Sequence, residues 1–390
     1  MNSRERLLSV FQGRTPDRIP WAPLIDGYYL SSLPHPTNPV DAVREFGGDV
    51  LERHVPTYRE ITNDIKRIPV NLAITKHETE SGHASVRTVG RIGEIEIITC
   101  ETCGRGERTI TTPVGTLHEA WLRTKTSPFI PFLTEHKIKS FHDLKTYHYL
   151  VEHMEYVPTY EIFSQEDAYV GPSGLATTSS PCTPLQNLLE IEIGMEHFYY
   201  MLADYPNEMN ELMGLMHERN KEIYEIIALS PAQVVIDHEN TSTTLMSPMI
   251  YEQYCERQLD EYAGILHSKG KIFLTHMCGT LKRLEAQLRR GQMDGIIDIA
   301  PPATGDVDLA DAKQMWGPDK VVMGGIDATV FVGSTPEEIA AYARDLLRRI
   351  APGDRVILGS GDATPQGTPV RNMAAVTEVV RAAGGYPLPE

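Results

Sequence analysis

The chain of 390 residues is longer than an average domain but within reach of one large α/β barrel with insertions, and its 41% hydrophobic content can fill a sizeable core. Its 36 basic against 53 acidic residues give a formal charge of -17, and with no Lys/Arg-rich run this argues against nucleic acid or an anionic membrane as partner. Five cysteines, odd in number and irregularly spaced, make no disulfide framework and read as reduced thiols.

The opening Met1-Asn-Ser-Arg-Glu-Arg-Leu-Leu8 lacks the apolar run of a signal peptide, and no membrane-length apolar run follows, so a cytoplasmic protein is expected. Residues 3–12 read as an amphipathic helix capped by Asn2 or Ser3, with Leu7, Leu8 and Phe11 on one face and Gly13 as its stop. Arg18-Ile-Pro-Trp-Ala-Pro-Leu-Ile-Asp26 reads as a first strand. Trp21, Tyr28 and Tyr29 follow either as core packing or as an aromatic wall for an apolar substrate. A short helix at 41–46 precedes a second extended segment from Val50. From about 70 to 123 alternating runs broken by glycines predict an inserted antiparallel β meander. Cys100-Glu-Thr-Cys103 lies within it; lacking a second such pair or a nearby histidine, it reads as structural.

The second half has a regular beat of strand then helix. Strand-like runs start at Ala168, Ala232, Lys271, Gly295, Lys320 and Arg355, with helices at about 185–202, 206–229, 248–268, 280–290, 308–316, 335–350 and 370–383. Six such units plus two N-terminal strands predict an α/β fold, an eight-stranded parallel (β/α) TIM barrel, as a single domain over residues 1–390. No glycine-rich dinucleotide fingerprint supports the open-sheet alternative.

In such barrels active-site groups come from the C-terminal ends of strands. Those ends here carry Asp26, Ser173, the Asp237-His-Glu-Asn240 run, His276 and Cys278, Asp298, Asp327 and Asp362. His276 and Cys278, two apart on an extended chain, point the same way and could converge on a metal; the surrounding acids complete a set suited to zinc. Glu239, from the preceding strand, and Asp362, behind Gly359 and Gly361, are the candidate further ligands. Asp237, Glu239 and Asp362 are candidate catalytic groups. Trp21, Asp26, Tyr28, Tyr29, Asp298 and Asp327 are candidates to contact substrate.

Arg4-Glu-Arg-Leu-Leu8, Asp17-Arg-Ile-Pro-Trp21, His276-Met-Cys-Gly279, Asp306-Val-Asp-Leu-Ala310, Val322-Met-Gly-Gly-Ile-Asp327 and Ile357-Leu-Gly-Ser-Gly-Asp362 together resemble the uroporphyrinogen decarboxylase superfamily over nearly the whole chain. Within it the chain is more similar to the corrinoid-linked methyltransferases, which hold a barrel-mouth zinc with a His-x-Cys pair and a later cysteine. Two departures matter. The decarboxylases' Arg-Gln-Ala-Gly-Arg-Tyr segment, which grips substrate carboxylates, corresponds here to Leu24-Ile-Asp-Gly-Tyr-Tyr-Leu30, without arginine. The methyltransferases' last cysteine corresponds to Asp362, so that Asp362 replaces the thiolate, Glu239 completes the site, or zinc is absent.

A carboxylate in place of a thiolate leaves zinc more acidic towards oxygen, which suits an ether substrate whose oxygen must leave. The resemblance therefore implies a zinc-dependent O-demethylating methyltransferase passing methyl from a methoxylated substrate, apolar or aromatic, to the cobalt of a corrinoid (cobalamin) carrier protein. The alternatives are transfer from methylcorrinoid to a thiol or tetrahydrofolate, a decarboxylase acting on another acid, and a non-catalytic corrinoid-carrier binding module. The chain lacks the Asp-x-His-x-x-Gly motif of corrinoid carriers, so the corrinoid is expected on a partner; a homodimer is compatible with the sequence.

Overall fold

The computed structural model describes residues 1–35, 37–62, 73–78, 84–92, 94–124 and 131–388. Where the sequence suggested one domain, the chain divides into two compact units. Residues 1–57, 159–182 and 224–390 form the first, and residues 58–158 and 183–223 the second.

In the first unit, short and mostly buried runs pair side by side in parallel, in the order Thr178–Ser180, Val234–Asp237, Ile272–His276, Gly295–Ile299, Val321–Ile326 and Val356–Ser360. Runs buried on both faces are what a parallel sheet covered by helices requires. The fold is α/β with a parallel sheet, and its regular sheet has six strands rather than the expected eight. Val50–Glu52 pairs instead with Gly174–Ala176. The expected first strand is reduced to one bridge, Trp21 to Leu358, because Pro20 and Pro23 have no N–H to offer a ladder. Ala22 N donates to the Leu358 carbonyl and Leu358 N to that of Pro20, both at 2.9 Å, while Asp49 N donates to the Trp21 carbonyl at 2.7 Å. The strand expected at Ala168 is also displaced. Tyr160–Val170 is helical, and the extended run starts at Gly174, where a side chain would collide with the Val50 carbonyl. Ser173, expected at a strand's end, precedes this run and accepts a hydrogen bond from Arg44 Nε.

Leu51, Leu175, Val234, Ile236, Leu274, Ile297, Val321, Met323 and Ile357 share one core with Ala22 and with Leu7, Val10 and Phe11 of the helix Ser3–Phe11. That helix starts on a capping box between Asn2 and Glu5, as its sequence predicts. Arg6 ties it down by donating to Asp17 and to the fully buried Asp49, which also accepts from Arg18 and from Trp21 N. The later helices follow the sequence closely at Pro206–Leu229, Leu309–Trp316, Pro336–Arg349 and Val370–Ala382. Those expected at 185–202 and 248–268 are interrupted by π turns at Leu188–Glu192 and Glu252–Glu256.

The second unit contains an antiparallel sheet of Ala73–Glu78, Ala84–Ile92, Ile95–Thr102, Arg105–Thr112, Gly115–Leu122 and Phe132–Glu135. It bears out the expected meander in part and runs on to Glu135; positions 70–72, 79–83 and 93 of that expectation lie outside the described residues. Tyr58–Thr62 pairs antiparallel with Met154–Pro158 at the neck of this insertion. Trp121 packs against Gly106, whose missing side chain leaves room for the indole. Buried Lys137 is held by Glu192 at 2.7 Å and Glu119 at 3.2 Å. Cys100 and Cys103 are free thiols. Among the described residues no helix is long and apolar enough to cross a membrane.

Glu52 follows Leu51 and so faces away from the first unit's core. Burial, reinforced by the Glu166 carboxylate, pushes it up to about 7 from 4.5. The folded chain then binds this proton more tightly than the unfolded one, so stability falls as pH rises from 4.5 to about 7 and is level above that. Glu52→Gln should therefore raise unfolding stability at pH 8 by about 1–3 kcal/mol, with no comparable gain at pH 4, as read from urea melts at both pH values.

Candidate metal centre

Alternation along a strand carries the core face out to the C-terminal ends of the strands. Leu51 is followed on that face by Arg53, Leu175 by Thr177 and Ser179, Ile236 by His238, and Leu274 by His276 and Cys278. These are the polar groups that the first unit's core ends in.

Asp298 joins them by breaking the alternation. The strand Gly295–Ile299 shifts register between Ile296 and Ile299, and Asp298 has φ 62, a left-handed value rare for a residue with a side chain. The bulge turns its carboxylate onto Arg53 and His276. Arg53 Nη2 donates to Asp298 Oδ1 at 2.9 Å, Arg53 Nη1 donates to Oδ2, and His276 Nδ1 lies 2.7 Å from Oδ2. Burial alone would raise the Asp298 carboxyl, yet Arg53 and His276 hold it well below the usual carboxylate range. Burial alone would likewise lower the His276 imidazolium, but Asp298 and Cys278 push it up to about 10.

With Nδ1 bound to Asp298, His276 keeps Nε2 for a ligand. Ligand atoms of His276, Cys278 and Asp362 all lie within 4.8 Å of one another. Imidazole nitrogen, thiolate sulfur and carboxylate oxygen in such a group are the donor types that zinc takes, and three protein ligands leave a fourth position for substrate. An imidazole oriented by a carboxylate on its other nitrogen is the usual support for such a ligand.

The remaining expected residues divide. Asp26 is drawn towards this group: its carboxyl is raised by burial and also by the Asp362 carboxylate, while Oδ1 accepts from Tyr28 N at 2.9 Å. Glu239 falls outside the three-residue group. It is completely buried with Asp237, whose carboxyl burial and Glu239 push well above its usual range. Asp237 follows Ile236 and so faces the opposite side of the sheet from the core face. Asp327 caps the helix Ala328–Gly333, accepting from Thr329 N at 2.7 Å and from Thr329 Oγ1. Trp21 is fully buried and stacked on Phe331 with ring centroids 6.1 Å apart. Tyr29 is also buried, and burial, with Glu45, pushes its hydroxyl up to about 12. Of the expected aromatic wall, Tyr28 alone stays half-buried beside Asp26.

Arg53 and His54 were not named from the sequence, and His238 was named only as part of the strand-end run Asp237-His-Glu-Asn240. The His238 ring stacks on His54 at 4.3 Å and lies 5.4 Å from that of His276. His54 Nδ1 is 2.9 Å from Ser179 Oγ. Counting by twos back along the strand from Asp237-His238-Glu239 would have picked out the histidine between the two acids, had the core face of that strand been known.

The uroporphyrinogen decarboxylase (URO-D) family model matches residues 164–383, more than half of the chain. The chain belongs to the uroporphyrinogen decarboxylase family. No curated protein sequence matches it. Among solved structures it is similar to a methyltransferase from Methanosarcina mazei, with TM-score 0.59 and 13% identity over 98% of this chain and 99% of that one. At that identity the likeness concerns the fold alone. A D-psicose 3-epimerase from Clostridium cellulolyticum H10, solved with D-tagatose, gives a TM-score of 0.35 at 10% identity over 57% of this chain and 84% of its own, too low to carry weight.

For this member of the family the geometry yields a direct expectation. Titration with Co2+ should show one thiolate-bound ion per chain, and Cys278→Ser or Asp362→Ala should weaken binding at least about tenfold. Asp298→Asn, which loosens the His276 ring, should cost about 10- to 100-fold. Glu239→Gln should leave affinity unchanged; its loss there would return Glu239 to the ligand set.

Proposed function

We propose that this chain is a zinc-dependent methyltransferase that moves a methyl group from a methoxylated substrate to the cobalt of a partner corrinoid protein, working at the mouth of an eight-stranded barrel. The observation that carries the reading is the convergence of His276, Cys278 and Asp362 behind an imidazole fixed by Asp298. The backbone bonds of residues 20–22 to Leu358 and to Asp49 support the barrel. The overall likeness to a methyltransferase fold agrees with it.

His276 Nε2, Cys278 Sγ and an Asp362 oxygen would hold the zinc, which supplies Lewis acidity towards an ether oxygen. Asp298 keeps the Nδ1 proton of His276 in place and so leaves the Nε2 lone pair directed outward. Asp26, with a carboxyl raised by burial and by Asp362, can hold a proton and give it to an oxygen leaving as alkoxide or phenoxide. A carboxylate-rich porphyrinogen fits these residues poorly. Asp362 would repel it, and Arg53 is already engaged by Asp298. The sequence's aromatic wall has less support than its ether chemistry, since Trp21 and Tyr29 are taken up in packing.

Zinc-loaded protein mixed with chemically reduced cobalamin and methoxylated phenols should produce methylcobalamin, followed by its absorbance. His276→Ala and Asp362→Ala should lower the rate at least about 100-fold, the scale on which loss of charge stabilisation acts. Asp26→Asn should lower it about 10- to 100-fold and remove the rate's dependence on one acidic group. Absence of methylcobalamin from every methoxylated compound, with zinc bound, would sink the proposal.

A further inference from the structure

Two of the three grouped ligands stand beyond the ends of their strands. Cys278 lies two residues past Ile272–His276 and Asp362 two past Val356–Ser360, so the sheet's ladder fixes neither. Loop positions drift unless other contacts hold them. Zinc takes sulfur at about 2.3 Å and imidazole nitrogen or carboxylate oxygen at about 2.0–2.2 Å, so a ligand displaced by about 1 Å is lost.

One segment, residues 298–306, reaches all three ligands or their chain neighbours. At its start Asp298 Oδ2 meets His276 Nδ1 at 2.7 Å. Next, Ala300 and Pro301 lie against Gly361, the residue before Asp362. A Cβ added there would stand 2.9 Å from Ala300 Cα and 3.0 Å from Pro301 Cδ. At its end Asp306 Oδ1 accepts from Leu281 N at 2.6 Å and from Lys282 N at 3.2 Å, tying down the loop that carries Cys278. From the other side of that loop Ser242 Oγ accepts from Thr280 N at 3.1 Å, and Gly279 has no room for a side chain against Ser242. The segment itself is stiff. Pro301 and Pro302 have fixed φ, Gly305 N and Thr304 N both donate to the Pro301 carbonyl at 2.9 and 3.3 Å, and Thr304 Oγ1 donates to Asp327 Oδ2 at 3.3 Å.

We propose that residues 298–306 are the frame that sets the spacing of the three ligands, with Asp306 as the positioning residue for Cys278 and the Gly361 contact as the positioning element for Asp362. Neither Asp306 nor Gly361 supplies a ligand atom. The inference rests on the ligand set of the reading above and not on methyl transfer.

The test is Co2+ titration of the full chain, followed by the thiolate-to-cobalt charge-transfer absorbance, with circular dichroism as the check on folding. Asp306→Ala should weaken binding about 10- to 100-fold and lower that absorbance per bound ion, because the cysteine loop is released. Asp306→Asn keeps an acceptor for Leu281 N and should stay within about threefold of the parent. Gly361→Ala should also weaken binding about 10- to 100-fold, but with the thiolate absorbance per bound ion unchanged, since only the carboxylate is pushed away. Asp308→Ala removes the cap of the neighbouring helix Leu309–Trp316 and costs stability alone, so affinity and absorbance should match the parent. Parent-like binding in Asp306→Ala or in Gly361→Ala, or an equal loss in Asp308→Ala, would overturn the frame. If one of the two variants does not fold, the other decides. If the parent binds no thiolate-ligated Co2+, the metal reading falls and the frame is judged on the metal-free protein, by alkylation of Cys278 with iodoacetamide read from peptide mass. Asp306→Ala should then react at least about tenfold faster than the parent, the factor that losing a hydrogen bond to a carboxylate gives, and an unchanged rate would overturn the frame as well.

Discussion

The contact on which the centre depends is the carboxylate of Asp298, which is buried completely and still ionised. A lone carboxylate in such a place would take up a proton, because desolvation favours the neutral form by several pKa units. Asp298 stays charged because Arg53 meets it with two hydrogen bonds and His276 adds a third. Removing either partner leaves an uncompensated buried charge, which typically costs about 3–5 kcal/mol, so the three groups stand or fall together. One consequence is chemical: the His276 ring has a single orientation, with Nδ1 spoken for. The other is geometric, since Arg53, just past the Val50–Glu52 strand, and Asp298 of the Gly295–Ile299 strand are joined through this pair although those strands are not paired.

That arrangement also requires backbone strain. Asp298 adopts φ 62, which costs a residue with a side chain about 1–2 kcal/mol, and it sits at a register shift in an otherwise regular parallel ladder. Strain at such a position persists only where the surroundings over-determine it. Here the two hydrogen bonds of Arg53 and the one of His276 supply that constraint. The same bulge explains why neighbouring Ile297 remains in the core while Asp298 escapes the alternation that would have turned it to the helix side.

What could be read from the sequence follows from this. A helix cap such as Asn2 lies in local sequence, and so does the period-2 spacing that brings His276 beside Cys278; both were legible. Asp362 was legible as the polar end of the last strand. The face of a strand is not local information. Val234-Val-Ile-Asp237 is apolar on both sides, so nothing in it says whether Asp237 or His238 follows the core face, and the acids were preferred for their chemistry. Arg53 and His54 were hidden by the brevity of a three-residue strand. Asp298 reads as a substrate contact because a bulge cannot be seen in Gly295-Ile-Ile-Asp-Ile299. Trp21 looked like a mouth residue, but Pro20 and Pro23 confine its segment to one bridge and its ring packs on Phe331.

The proposed ether substrate sets the ligand group a chemical problem with two parts. An ether is a poor ligand and a poor leaving group, so a centre that acts on one must both hold it by something other than the reacting oxygen and stabilise that oxygen as it departs. Thiolate donors would quench the acidity needed for departure, whereas the carboxylate of Asp362 preserves more of it. Uniformly strong binding of the reacting oxygen would not speed its departure, since only interactions stronger in the transition state do so. On the proposed reading, the group of His276, Cys278 and Asp362, with Asp26 beside it, is placed to respond to charge that develops only as the bond to methyl breaks.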